Sequence, residues 1–214
     1  MEPRDMNPSA IERRSMEIID AELAGARITL AADIAPIVRR VIHATADFSF
    51  AGTMRFSDGI VDRIRGMTRS GAAVVTDTNM ALAGINKEAA RRLNLTLACL
   101  MAEPDVAEEA RSRGITRAAV SMERALGVPG PKLFVCGNAP TFLMPLLDRY
   151  EACAIDDIAV IGAPVGFVNV VETKERLWAS GIPCVTAMGR RGGSGVAAAI
   201  VNALMYGVGD ASQP

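Results

Sequence analysis

Five short apolar runs recur along the chain after residue 70: AAVVTD (72–77), LTLACLM (95–101), KLFVCG (132–137), IAVIG (158–162) and PCVTAM (183–188). They are continuous rather than alternating, and each ends in turn residues. Such runs suit strands covered on both faces. Between them lie stretches of helical character near 105–125, 140–150, 169–180 and 194–206. Strands separated by helices of this length suit right-handed crossovers and a parallel sheet.

The first seventy residues follow a different pattern. Ser9-Ala-Ile-Glu12 has the form of a capping box and predicts a helix through about Leu23. A second helix is predicted over about Ala31 to Ala44, where Ile34, Ile37, Val38, Val41 and Ile42 recur at helical spacing. Pro36 is tolerable only near its start. Arg39 and His43, four residues apart, should share a face of this helix. A third helix is predicted over Asp58 to Arg69, with Ser57 as candidate N-cap. The expected fold is α/β: a three-layer, mostly parallel sheet of about five strands, preceded by an N-terminal helical segment. No repeat, low-complexity tract or Gly/Ser linker divides the 214 residues, so one domain is expected, with residues 1–8 and 209–214 flexible.

Composition narrows the partners. Net charge is −1 and aromatics make up 4% of the chain. No concentrated positive face and few stacking groups argue against nucleic acid. MEPRDMNPSAIERR has no apolar core of a signal peptide, and no run is long and apolar enough to span a bilayer. A cytoplasmic chain with no membrane partner is expected. The cysteines are Cys99, Cys136, Cys153 and Cys184, and no two form C-x-x-C. The expectation is reduced, mostly buried cysteine and no metal site.

Ligands of open parallel sheets bind beyond the carboxyl ends of the strands. The segments there are Asp77-Thr78-Asn79, Glu103-Pro104, Gly137 to Pro140, Gly162 to Phe167 and Gly189 to Ser194. Each alone reads as a plain turn, but together they describe one rim of a pocket. GRRGGSG (189–195) combines glycines, a helix start and two arginines, the chemistry of an anion site. GSGVAA also fits a dinucleotide fingerprint, although no strand follows to carry the acidic ribose ligand. His43 is the sole histidine. It reads equally as a satisfied, partly buried residue or as a working imidazole. Arg39 and Arg40 would make an anion cradle beside it, and Thr45 or Asp47 would fix its tautomer. A Ser–His–Asp hydrolase lacks its G-x-S-x-G elbow.

Six segments, in order, resemble the precorrin-8X methylmutases, including the cobalt-precorrin-8 methylmutases. They are IERRSMEIID, RRVIHATADF, VVTDTNMALAGI, GNAPTFL, IGAPVGFVNVVETKE and GRRGGSGVAAAIVNAL, spanning about residues 11 to 204. The resemblance implies an isomerase of corrin-ring (cobalamin) biosynthesis that moves a methyl group from C11 to C12 of the macrocycle, giving hydrogenobyrinate or cobyrinate. It implies a tetrapyrrole substrate and a homodimer with shared sites. No cofactor is implied, since cobalt, where present, is part of the substrate.

By the same resemblance the catalytic histidine falls on His43, and substrate contacts fall on Ser15, Arg40 and Arg117. The substrate would be an apolar disc rimmed by carboxylates. Arg13, Arg190 and Arg191 suit its rim, while Met80, Phe167 and Gly166 suit its face. Asp77, Thr78, Asn79, Asn138, Gly192, Gly193 and Ser194 complete the expected contacts. Ala46 and Gly195 depart from the commonest family pattern, which has Gly and Pro there, without removing a chemical group. Two other readings compete: a non-catalytic carrier of a corrinoid intermediate, and a nicotinamide-dependent reductase using GSGVAA.

Overall fold

Residues 7–153 and 155–208 are described by a computed structural model. Helix α1 (Pro8–Gly25) begins one residue before the predicted capping box. Asn7 is its N-cap, its side chain accepting from the amides of Ser9 and Ala10 at 3.0 and 3.4 Å. Ser9 therefore lies inside the first turn, and Pro8 occupies the position where a missing N–H costs nothing. Of the chain ends expected to be flexible, residues 1–6 and 209–214 lie outside the described residues.

Helix α2 (Ala35–Thr45) carries the predicted apolar stripe, with Ile37, Val38, Val41 and Ile42 buried. It starts four residues later than predicted, because Pro36 is held to the first turn. Ala46 ends it in a left-handed conformation at φ 54°. A short helix α3 (Phe50–Thr53) leads into strand β1 (Met54–Phe56), which sequence patterning did not predict. Helix α4 (Ile60–Arg69) follows, capped by Gly59 rather than Ser57. The Ser57 hydroxyl instead accepts from the Cys184 amide at 2.9 Å, tying this segment to the strand that pairs with β1.

From here strands and helices alternate: β2 (Ala73–Thr76), α5 (Asn79–Gly84), α6 (Lys87–Arg92), β3 (Thr96–Ala98), α7 (Pro104–Arg113) and α8 (Arg117–Leu126). The stretch predicted as one helix over 105–125 is two, separated at Gly114, whose φ is +65°. The chain continues through β4 (Lys132–Cys136), α9 (Pro140–Ala152), β5 (Ile158–Gly162), α10 (Val170–Ala179), β6 (Cys184–Ala187) and α11 (Ser194–Tyr206).

The sheet has six strands in the order β1-β6-β5-β4-β2-β3, all parallel except the antiparallel edge strand β1. β4 and β5 are buried at every position, which explains their unbroken apolar runs. One face is covered by α1, α2, α4 and the almost wholly apolar α11. The other face is covered by α8, α9 and α10 around Phe134, Phe142, Leu146 and Leu177. The chain turns outward from β2 to β3 and then returns to start β4 beside β2. The crevice between β2 and β4 is thus the topological switch point, where ligands of such sheets collect.

Candidate active site

Four strand-end turns meet at this rim, and each is locked to its neighbour. Asp77, just after β2, is fully buried. Its carboxylate accepts from the amides of Gly137, Asn138 and Ala139 at 3.0, 2.7 and 2.8 Å. It therefore holds the turn after β4, and none of its surface faces solvent. Next to it, Thr78 caps α5 by accepting from Ala81 N, and its hydroxyl lies 2.9 Å from that of Ser194 at the start of α11. Gly137 permits this approach: a Cβ there would stand 2.6 Å from Ser194 Cα. Gly193 N donates to Ala163 O at 2.8 Å, and Gly166 N donates to Arg190 O at 3.2 Å, joining the turns after β5 and β6. A side chain at Gly192 would stand 2.2 Å from Ala163 O, so these two turns pack backbone against backbone.

The outer surface of the rim is apolar and basic. Met80, Phe167 and Val168 are 75, 82 and 76% exposed. Arg190 stacks over the Phe167 ring at 5.5 Å. Asn79 and Asn138 are exposed on the same edge. Arg117 is exposed at the start of α8, and the preceding Thr116 hydroxyl donates to that of Thr141 at 3.0 Å, beside the turn after β4. Underneath, Lys174 of α10 is completely buried, with its ammonium donating to Gly189 O and Arg191 O at 2.8 and 2.7 Å. Burial pushes this lysine down to about 8. Burial also raises the thiol of Cys136, with the adjacent Asp77 adding to the effect.

The loop that follows the helix of His43 is tied to this rim. His43 itself is exposed in the last turn of α2. The loop that follows is tethered by Arg191, whose guanidinium donates to Asp47 Oδ2 and Ser49 Oγ at 2.6 Å each. Hydrogen bonding from Ser49, with the Arg191 charge in addition, holds Asp47 below the usual carboxylate range. Asp47 thus serves Arg191 and not the imidazole. Thr45 is equally committed, donating to Val41 O at 2.8 Å and accepting from Asp47 N at 3.2 Å. Neither residue fixes the tautomer of His43 as expected. The reading of His43 as a satisfied, partly buried residue does not fit its exposure.

Pro36, Arg39, Arg40 and His43 lie along one face of α2. α1 crosses the N-terminal part of that face. Arg39 Nε lies 2.6 Å from Asp20 Oδ1, and Arg40 Nη1 lies 2.7 Å from Glu12 Oε1. Arg40 also stacks on Tyr206 at 5.5 Å. Glu12, Arg13, Asp20, Arg39, Arg40 and Tyr206 line a cleft of about 430 Å3 between α1, α2 and α11. Ser15, farther along α1, donates to Ile11 O at 2.9 Å. Within this chain the rim therefore gathers Asp77 to Met80, Asn138, Gly166, Phe167 and the Gly189–Ser194 turn. His43 lies on the α2 face that carries Arg40, and Ser15 lies on α1.

Sequence reading missed Lys174 and Ser49. Lys174 was legible in principle: in VVETKERLWA it takes a place in the stripe Val170, Thr173, Lys174, Leu177, all of which are buried. Ser49 offered no comparable signal. Among the described residues, no group of three His, Cys, Asp or Glu side chains is placed to hold a metal. No described helix is long and apolar enough to cross a membrane.

Known proteins share this architecture and sequence. A family model described as precorrin-8X methylmutase matches residues 10–207. The cobalt-precorrin-8 methylmutase of Salmonella typhimurium is 43% identical over 79% of this chain and 80% of its own length. The precorrin-8X methylmutase of Pseudomonas aeruginosa is 39% identical over 91% of this chain and 93% of its own. A crystal structure of precorrin-8x methyl mutase from Thermus thermophilus superposes with a TM-score of 0.85 at 36% identity, covering 95% of this chain and 99% of that one. With the match extending from the first helix to the last, the chain belongs to the precorrin-8X methylmutase family.

Proposed function

We propose that the chain is an isomerase of cobalamin biosynthesis that moves a methyl group from C11 to C12 of a precorrin-8 macrocycle, with His43 as its acid. One observation carries the role of His43. The Arg191 tether to Asp47 and Ser49 ties the loop after α2 to the strand-end rim, and the His43 imidazole is exposed in the last turn of that helix. That rim offers what a corrin requires: apolar surface at Met80, Phe167 and Val168 for the disc, and Arg190 and Arg117 for its carboxylates.

In the rearrangement the bond from the methyl carbon to C11 breaks as the bond to C12 forms. Atoms and electrons balance within the substrate, and no redox cofactor is required. Electron density shifts through the conjugated ring as the methyl moves. A donor aimed at a ring nitrogen stabilises that redistribution, and a protonated imidazole is such a donor. The arginines fix the ring's orientation. Cobalt, in a metallated substrate, travels with the ring.

A second copy of the chain completes the site in this reading. Ser15 lies on α1 and Arg40 pairs with Glu12 of α1, away from the strand ends in sequence and on a different pair of elements. Ile11 and Ile18 on α1 are 49 and 45% exposed, an apolar face suited to a partner. The cytoplasm is the expected compartment.

The test is direct. Purified protein is mixed with precorrin-8X, and in parallel with its cobalt form, and the visible spectrum is followed. Conversion to the hydrogenobyrinate or cobyrinate chromophore is expected with substrate in large excess over protein. A stoichiometric spectral change without turnover would instead identify a corrinoid carrier.

A further inference from the structure

We propose that Lys174 is a positioning residue for this site: its ammonium sets the Gly189–Gly193 turn and, through it, the aim of Arg190 and Arg191. The inference rests on the reading that this turn receives the substrate's carboxylates.

Lys174 stands where α10 otherwise presents Val170, Thr173 and Leu177 to the interior, and no part of it is exposed. A buried cation is costly, and apolar replacements of such groups are often neutral or stabilising. Stability alone does not account for a lysine here. What the ammonium does is specific. It takes the carbonyls of Gly189 and Arg191, two residues apart on one turn, and points both inward. Arg190 lies between them, its carbonyl accepting from Gly166 N and its guanidinium over Phe167. Arg191 reaches the other way, to Asp47 and Ser49 on the loop after His43. The two arginines therefore leave the turn in different directions from one anchored stretch of backbone. Without the ammonium, two buried carbonyls lose their partners, and the turn must rotate to hydrate them. Both arginines would move with it.

The variant is Lys174→Met, which keeps the length of the side chain and removes its donors. With the substrate that the wild type converts, KM is expected to rise about tenfold, the equivalent of one charge-assisted contact, while kcat changes by less than about threefold. A merely structural lysine would lower the fraction of active enzyme, so kcat would fall with KM unchanged, and that result overturns the inference. A second arm needs no turnover. Trypsin cleavage after Arg190 and Arg191, mapped by mass spectrometry, is expected to be about tenfold faster in Lys174→Met than in the wild type. It should also exceed cleavage there in Leu146→Ala, which weakens the core under α9 without touching this turn. Equal cleavage in Lys174→Met and wild type overturns the inference, whether or not the chain proves to be an enzyme. If the wild type leaves both substrates unchanged, the methylmutase reading falls, and the trypsin arm still decides the role of Lys174. Should Lys174→Met not accumulate as folded protein, Lys174→Gln takes its place in both arms with the same expected directions.

Discussion

Replacing Asp77 by Asn should destabilise the fold far more than an isosteric change normally does. The wild-type carboxylate is fully buried and accepts three backbone amides, one on Oδ1 and two on Oδ2. An asparagine turned to its best orientation keeps its oxygen toward Asn138 and Ala139. Its NH2 then faces the Gly137 amide, donor against donor. Two charge-assisted bonds become neutral, at about 1 kcal/mol each, and one buried N–H is orphaned, at about 1–3 kcal/mol. Relief from burying a charge offsets part of this, leaving a net loss of about 2–4 kcal/mol. Guanidinium unfolding of both proteins at equal concentration, followed by circular dichroism, measures the difference. A loss below about 1 kcal/mol would refute the argument that this carboxylate organises the turn after β4.

Three further outcomes follow from the same packing. Gly137→Ala places a methyl 2.6 Å from Ser194 Cα, so α11 must shift; a loss of about 1–3 kcal/mol in thermal or chemical unfolding is expected, with reduced turnover. Burial lowers Lys174 from its ordinary 10.5 to about 8, so between these values the unfolded chain holds more protons. Its contribution to stability therefore rises with pH, and the wild-type stability should gain on that of Lys174→Met between pH 7.5 and 10 in paired unfolding curves. The comparison cancels Cys184, which burial pushes up to about 12 and which acts in the opposite sense. Finally, Cys136 and Cys184, both buried, should resist a thiol reagent in the native protein and react once it is unfolded, as absorbance titration would register.

The parallel sheet was legible because strands buried on both faces leave unbroken apolar runs, as β4 and β5 do. β1 left no such mark. It has three residues, one exposed, and pairs antiparallel at an edge where burial asks little of sequence. α5 and α6 have six residues each, too few to show a helical period. α7 and α8 read as one helix because the break is only three residues long, with Gly114 ending α7 and Thr116 capping α8. The site divided along similar lines. Residues at strand ends were placed on the rim by topology, since any parallel sheet puts them there. What each side chain does depends on distant partners. Asp77 is claimed by amides 60 to 62 residues later, and Asp47 by an arginine 144 residues later. Such pairings leave no periodicity in a single sequence.

His43 is the point on which the account turns. Because the imidazole is exposed and the helix is held by its apolar stripe and by Arg191, His43→Ala should leave the fold unchanged. The decisive measurement is the rate at which this variant converts precorrin-8X or cobalt-precorrin-8, beside its circular dichroism spectrum and unfolding midpoint. The account predicts a native spectrum and midpoint with turnover abolished. A natively folded His43→Ala that rearranges substrate at the wild-type rate would contradict it.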